Sequence, residues 1–375
     1  MWHRVIGQQR VKNMLLAAMR SGRLAHAYLF VGHEGVGKDA MALELARVLH
    51  CRRGAEESCD QCESCIKLNS LQHPDVHFIV ALPTGRNEGA DDGPLEKLSP
   101  ADVELIQQQL RQKGANPYHR ISIPRATRIK INSIREVRRQ SVMSTQSGKQ
   151  KIFIISNADE MGPEASNTIL KTLEEPSHKT MLILTTSRPE SLLSTIVSRC
   201  QIVRFDPLTE NDIRTALIER EGIDQERASL VARLASGSYV GALELLEADL
   251  TALRHDVVAF IRTVLGNNRV NLVNHIEKLA AEKDREFVAR YLRLMGLWFR
   301  DAFVLLNGGS IVNVDQQEDL MRFTAKFASA DLHCVLEAVD HAISLLYKNG
   351  YIHLVLLQLA VKLRRAILEP APAFR

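Results

Sequence analysis

Ala27-Tyr28-Leu29-Phe30-Val31-Gly32-His33-Glu34-Gly35-Val36-Gly37-Lys38 is the stretch on which the fold turns. Five apolar residues of strand length run into G-x-x-x-x-G-K, and helical spacing takes over from Lys38 to His50. In that context the motif marks a phosphate-binding loop rather than a plain strand-to-helix turn. Glycines let backbone N–H groups close round phosphate oxygens, and the helix N-terminus adds positive potential. Lys38 would reach the outer phosphates, so Gly32, Gly35, Gly37, Lys38 and Asp39 are the candidate nucleotide-binding residues. Asp39 stands where the motif asks for a Ser or Thr hydroxyl to ligate Mg²⁺. A carboxylate beside a triphosphate in a poorly screened pocket costs on the order of a few kcal/mol. The loop is expected to keep its shape, degenerate in chemistry, and ATP binding is doubtful.

Working outward, Val76–Val80, Lys151–Ile155, Thr180–Thr186 and Cys200–Phe205 are further strand candidates. Helical spacing separates them, as at Ile6–Ser21 and Pro163–Glu174. Strands alternating with helices predict an α/β domain, a parallel sheet covered on both faces. Ala81–Arg128 interrupts the pattern with glycines, prolines and the pair Asp91-Asp92; it reads as an insertion, partly mobile, with a short helix over Pro100–Lys113. After Phe205 the chain turns helical, and Thr209 can cap the first helix. Thr209–Glu247 reads as a small helical domain and Asp249 onward as a bundle, with Glu369-Pro370-Ala371-Pro372 as a frayed tail.

The 375 residues, 45% hydrophobic and 25% charged, suit two or three globular domains and exclude disorder over most of the chain. No apolar run reaches the roughly 18 residues of a spanning helix. Met1-Trp2-His3-Arg4 leads into a polar helix rather than a signal peptide, which predicts a cytoplasmic protein with no membrane role. A net charge of +4 is too mild to imply nucleic-acid binding, and 5% aromatics disfavour a base-stacking surface.

An ATPase of this class also needs an apolar strand ending in Asp, then usually Glu, to hold Mg²⁺ and orient water. Lys151–Ile155 ends instead in Ser156-Asn157. Asp159 and Glu160 lie past the strand end, where Asp159 reads as the start of a turn.

Asn167-Thr168-Ile169-Leu170-Lys171-Thr172-Leu173-Glu174-Glu175-Pro176, then Thr185-Thr186-Ser187, then Ser198-Arg199-Cys200, resembles the core of bacterial clamp-loader AAA+ subunits of DNA polymerase III. The resemblance covers residues 3 to 250 clearly and the C-terminal helices more weakly; Ile6-Gly7-Gln8 is similar to the family's segment near the adenine. It implies a AAA+ P-loop domain over 1–206, a helical lid over 207–249 and a helical collar for oligomerisation over 250–375. A motor subunit would carry Ser or Thr at Asp39, Asp-Glu at Ser156-Asn157, and an arginine at Val240 in the lid string Gly237-Ser238-Tyr239-Val240-Gly241-Ala242-Leu243. Three departures together imply a subunit that no longer hydrolyses ATP. Thr186 remains near the family's sensor-1 position.

Arg199 is kept. The family's arginine in this motif reaches the ATP of a neighbouring subunit and stabilises charge on the transferred phosphoryl group, so the resemblance implies a trans-acting arginine finger. Outside that motif series it would read as a surface arginine in an ion pair. Cys200 reads as a small buried residue.

Cys59-x2-Cys62-x2-Cys65, with Cys51 upstream, offers four thiolates to one ion. Four soft ligands suit tetrahedral Zn²⁺ with no open position, hence a structural role. The cluster over 51–65 also falls where the family carries a zinc module. An iron–sulfur cluster is the main rival, but its fourth cysteine lies downstream and is followed by Pro; a redox disulfide is a further one.

Arg125, Arg128 and Lys130 precede a helix carrying Arg135, Arg138 and Arg139 at helical spacing, a face suited to DNA phosphates or simply to water. The apolar faces at Phe287–Phe299 and Tyr351–Leu363 fit either bundle core or a collar interface. The whole reading is an ATPase-deficient clamp-loader subunit. The resemblance implies motor (gamma/tau) and delta subunits, the sliding clamp and primer-template DNA as its partners. It would belong to a DNA-polymerising complex without independent ATPase of its own. Two alternatives are an active gamma/tau-like motor, with Asp39 and Asp159 forming an unusual Mg²⁺ site, and an adaptor with no chemical contribution.

Overall fold

A computed structural model describes residues 2–369 except 55, 90–91, 178, 247–249, 282–284 and 348–349, with the backbone alone at 286. Asp91, the tail residues Pro370, Ala371 and Pro372, and the expected junction at 247–249 lie outside the described residues. The chain divides into two units: Met1–Ala228 with Ser236–Gly241, and Ser229–Ala235 with Ala242–Arg375.

The first unit is built on five parallel strands: β1 (Ala27–Val31), β2 (Val76–Ile79), β3 (Lys151–Ile155), β4 (Thr180–Thr186) and β5 (Gln201–Arg204). Their order is β2-β3-β4-β1-β5. β1, β3 and β4 are buried along their whole length, as continuous apolar strands covered on both faces should be. β5, at an edge, buries Val203 and exposes its neighbours. Phe153, Ile155, Leu182 and Leu184 of the sheet share a core with Ile134 and Val137 of the helix Ile131–Val142 and with Ile169 and Leu173 of the helix Pro163–Glu174.

β1 pairs with β4 on one side and β5 on the other, so the chain reverses direction across the sheet beside the carboxyl end of β1. Sites in open parallel sheets form at such points. There Gly32 N donates to Thr186 O (3.2 Å), tying the glycine loop to the end of β4. The helix Lys38–His50 follows and is buried on nearly every side.

β2 and β5 are one and two residues shorter than their sequence reading, and two helices differ from theirs. The first helix starts at Gln9 rather than Ile6, because Gly7 and Gln8 both take left-handed backbone (φ 55° and 56°). The helix inside the 81–128 segment runs over Pro100–Ala115; Ser99 caps it, accepting from Asp102 N (3.2 Å). Thr209 caps the helix Glu210–Glu221 by the reciprocal arrangement in which its hydroxyl accepts from Asp212 N and the Asp212 carboxylate accepts from Thr209 N.

The second unit is helical. Val288, Tyr291, Leu292, Met295 and Phe299 of the helix Arg285–Leu306 are buried, so the Phe287–Phe299 face is core. The helix Ile352–Leu368 buries Val355, Leu359 and Leu363 on one side and exposes Leu354, Leu357 and Val361 on another.

Candidate functional site

The glycine loop keeps the backbone its motif demands. Gly35 and Gly37 sit at φ +76° and +101°, where a side chain is strained. They also leave no room for one: a Cβ on Gly35 would collide with Ser238 Oγ, and one on Gly37 would lie 2.8 Å from the Tyr118 hydroxyl. Tyr239 N donates to Gly35 O (3.1 Å). Lys38, buried, turns back on the loop and donates to the carbonyls of Gly32 and His33, both at 2.7 Å. Burial pulls its pKa below the usual lysine value, against the pull of Asp39 and Glu34.

Asp39 is fully engaged. Oδ1 accepts from Thr185 Oγ1 (2.8 Å); Oδ2 accepts from Ser156 Oγ (2.9 Å) and lies 3.1 Å from Lys113 Nζ. Burial alone would raise its pKa, but the Lys113 charge and the two hydroxyls outweigh it and hold the carboxyl below the ordinary value. Lys113 comes from the helix inside the segment read as an insertion. Nothing local in the sequence marks it as a neighbour of Asp39.

Past β3, Ser156 serves Asp39, and Asn157 takes left-handed backbone (φ 51°). The Asp159 carboxylate is buried and accepts from Thr186 Oγ1 (2.7 Å) and from Arg188 Nε (2.9 Å). Asp39 and Asp159 each hold a cationic side chain of this chain, Lys113 and Arg188. Glu160 next door is pushed up to about 7, by burial first and then by the charge of Asp159.

Arg199 follows the short helix Ser194–Val197. Its guanidinium donates to Thr195 O (2.9 Å) and lies 2.7 Å from Glu174 Oε1, with the arginine side chain 35% exposed. The sequence reading did not pair it with Glu174. Cys200 packs against the sheet core, and burial drives its thiol up to about 12.

The structure brings Cys51, Cys59, Cys62 and Cys65 together, all four sulfurs within 4.8 Å of one another and none in a disulfide. Cys51 ends the helix Lys38–His50 and Cys62 precedes the helix Glu63–Asn69, so two helix termini fix two of the thiols. Cys62 N donates to Cys59 Sγ (3.3 Å). Burial acts to raise the Cys62 thiol, but N–H groups of Arg52 and Cys65 bring it down to about 6. Cys65, buried, is raised to about 12. Four thiols at this separation can hold a metal ion, and they are the only such group among the described residues.

A family model described as DNA polymerase III, delta subunit, matches residues 7–209, more than half of the chain. The chain belongs to the DNA polymerase III delta-subunit family. It is 32% identical over 242 residues to the DNA polymerase III subunit delta' of Bacillus subtilis, covering 64% of this chain and 60% of that relative. It is 28% identical over 286 residues to the DNA polymerase III subunit gamma/tau of Mycobacterium bovis, covering 74% of this chain and 42% of the relative. The chain thus spans less than two thirds of the length of either. A solved structure, the gamma subunit-related protein of Thermotoga maritima, aligns over 95% of this chain and 99% of its own at 15% identity, with a TM-score of 0.39.

In this member of the delta-subunit family the matched span contains the glycine loop, the four cysteines and Arg199. It also contains the basic helix Ile131–Val142, where Arg135, Arg138 and Arg139 are exposed. Part of the neighbouring charge is already used: Lys130 and Glu88 form a buried pair at 2.8 Å, Arg125 pairs with Asp102 (3.0 Å), and Arg139 pairs with Glu136. No helix among the described residues is long and apolar enough to cross a membrane.

Proposed function

We propose that the chain is the delta-prime type of subunit in a bacterial clamp loader, a member that does not fire ATP itself and helps place the sliding clamp on primed DNA. The observation that carries the reading is the condition of its own phosphate loop. Where a motor needs a hydroxyl for Mg²⁺ there is a carboxylate, and that carboxylate is bound to Lys113 rather than free for a metal. Val240, in the place of the family's lid arginine, packs against Gly35.

Arg199 is the chain's chemical contribution, offered to the ATP of an adjacent motor subunit. Its partial exposure and single carboxylate partner are compatible with a side chain that changes partners on assembly. Residues 1–206 act as the P-loop-like domain, 207–249 as the lid and 250–375 as the collar. Partners are gamma/tau and delta subunits, with clamp and primer-template DNA reached through the complex in the cytoplasm. The four cysteines hold zinc. Their role is structural, because four protein thiolates leave tetrahedral zinc no open position.

The test is Arg199→Ala in a complex reconstituted from the chain, its motor and delta subunits. Assembly is expected to persist while DNA-stimulated ATPase falls by an order of magnitude or more, at about the scale known for arginine fingers. Unchanged ATPase would falsify the finger, and ATP turnover by the isolated wild-type chain at motor-like rates would overturn the reading as a whole.

A further inference from the structure

We propose that the segment from Pro100 to Tyr118 is a built-in occupant of the phosphate loop, with the Lys113 ammonium neutralising Asp39 in place of a magnesium nucleotide. The inference deepens the reading of the loop as inactive and rests on it for the identity of the displaced ligand. It adds a cause. The loop is closed by a segment of the chain itself, not merely short of catalytic residues.

Charge comes first. The Lys113 side chain is 8% exposed and that of Asp39 21%. A carboxylate so placed needs a cation, and removing one member of a buried pair is far more damaging than never having had it. Thr185 and Ser156 hydroxyls complete the shell of Asp39, so both carboxylate oxygens already have donors from the protein. A divalent cation entering here would have to displace an ammonium held at 3.1 Å.

The ammonium is itself fixed. Lys113 Nζ also donates to His119 O (3.0 Å) and lies 6.0 Å over the Phe78 ring of β2. Next to it, Gly114 O accepts from the buried Arg47 of the helix Lys38–His50 (2.8 Å). Arg47 also donates to Leu68 O (3.3 Å) and to Asn69 Oδ1, so the end of the helix is fastened to the body of the domain. Beyond it, the buried Tyr118 hydroxyl accepts from Ile6 N (2.9 Å) and stands over Gly37. The Tyr118 ring meets Tyr239 edge-on at 5.0 Å. Lys113 and Tyr118 therefore bind the phosphate-loop end at Asp39 and beside Gly37, while Gly114 ties the same segment to Arg47 in the last turn of the helix Lys38–His50; the first two contacts would have to let go to open the loop.

The experiment uses the full chain with MgCl2 and MgADP as probes, read by thermal melting and by polarisation of a fluorescent ADP analogue. For wild type, neither probe is expected to move the midpoint. Lys113→Met is expected to lower it by roughly 5 °C or more, and MgCl2 to recover part of the loss. Asp39→Asn combined with Lys113→Met is expected to melt near wild type, since removing both charges leaves neither stranded. Should Lys113→Met not fold, the double variant decides: recovered folding supports the proposal and continued failure overturns it. Melting of Lys113→Met at the wild-type temperature overturns it too, as does wild type binding the ADP analogue as tightly as the variant. These outcomes are separate from the fate of the preceding reading. A chain without ATPase whose Lys113→Met variant is indistinguishable from wild type would keep that reading and lose this one.

Discussion

Arg199 and Glu174 are an ion pair, 2.7 Å apart, joining the second residue past the short helix Ser194–Val197 to the last residue of the helix Pro163–Glu174. Both side chains are partly exposed, so the pair is worth on the order of 1 kcal/mol or less and weakens with salt. Glu174 therefore holds Arg199 without locking it, and under the proposed finger role it would compete only weakly with a phosphate. Glu174→Gln in the reconstituted complex is expected to change DNA-stimulated ATPase by no more than several-fold. Arg199→Lys should fare much worse, because an ammonium lacks the planar fork that spans two oxygens. A Glu174→Gln loss as deep as that of Arg199→Ala would make Glu174 more than a holding group.

The four cysteines carry the second prediction. A metal ion would have to displace the proton of Cys65, whose thiol burial raises to about 12, whereas backbone N–H groups lower the Cys62 thiol and ease its deprotonation. Affinity should accordingly rise with pH, and metal should leave in mild acid, below about pH 5. Elemental analysis is expected to find one zinc per chain, and Cys59→Ser to lose it with a lower melting temperature. Iron in its place, or four free thiols titrating in protein purified under reducing conditions without chelator, would sink the zinc assignment.

Glu160 gives a pH dependence of definite sign. Its carboxyl stands at about 7 in the folded chain, through burial and the neighbouring Asp159, against an ordinary 4.5. Between those values the folded form holds a proton that the unfolded form has released, so stability falls as pH rises through the window and levels off above it. Glu160→Gln should flatten that slope and melt higher than wild type at pH 8. Urea titrations at pH 5 and pH 8 would read it; parallel pH profiles for the two proteins would count against it.

What the sequence made legible was local. The apolar run Ala27–Val31 and the loop up to Lys38 announce a strand, a turn and a helix because each depends on near neighbours. The Thr209 cap and the cysteine spacing belong to the same class, since their partners lie a few residues away. Lys113 did not, because an ammonium on a helix looks the same whether it faces water or a buried carboxylate far back in the chain. Nor did Glu174, which is the helix-terminal residue of one motif and finds its arginine in another. The late start of the first helix turned on left-handed backbone at Gln8, which carries no sequence mark of its own.

In the second unit the pair Arg254 and Asp315 is lopsided, and the lopsidedness is testable. Arg254 is 6% exposed and Asp315 58%. The guanidinium holds Asp315 through two contacts (2.8 and 2.7 Å) and Asn313 Oδ1 through a third (2.8 Å). Asn313 in turn donates to the buried Asp301 carboxylate (2.8 Å), which also accepts from the backbone N–H groups of Val312 and Asn313. Removing the arginine leaves a carboxylate that water can reach, whereas removing Asp315 leaves a buried cation with one neutral partner. Asp315→Ala is therefore expected to cost about 2–4 kcal/mol and Arg254→Met about 1–2 kcal/mol. Denaturant titration of both variants measures the order, and Arg254→Met as the more damaging of the two would show that the guanidinium's hydrogen bonds to Asp315 and Asn313, not the cost of a stranded charge, decide the stability of this corner of the bundle.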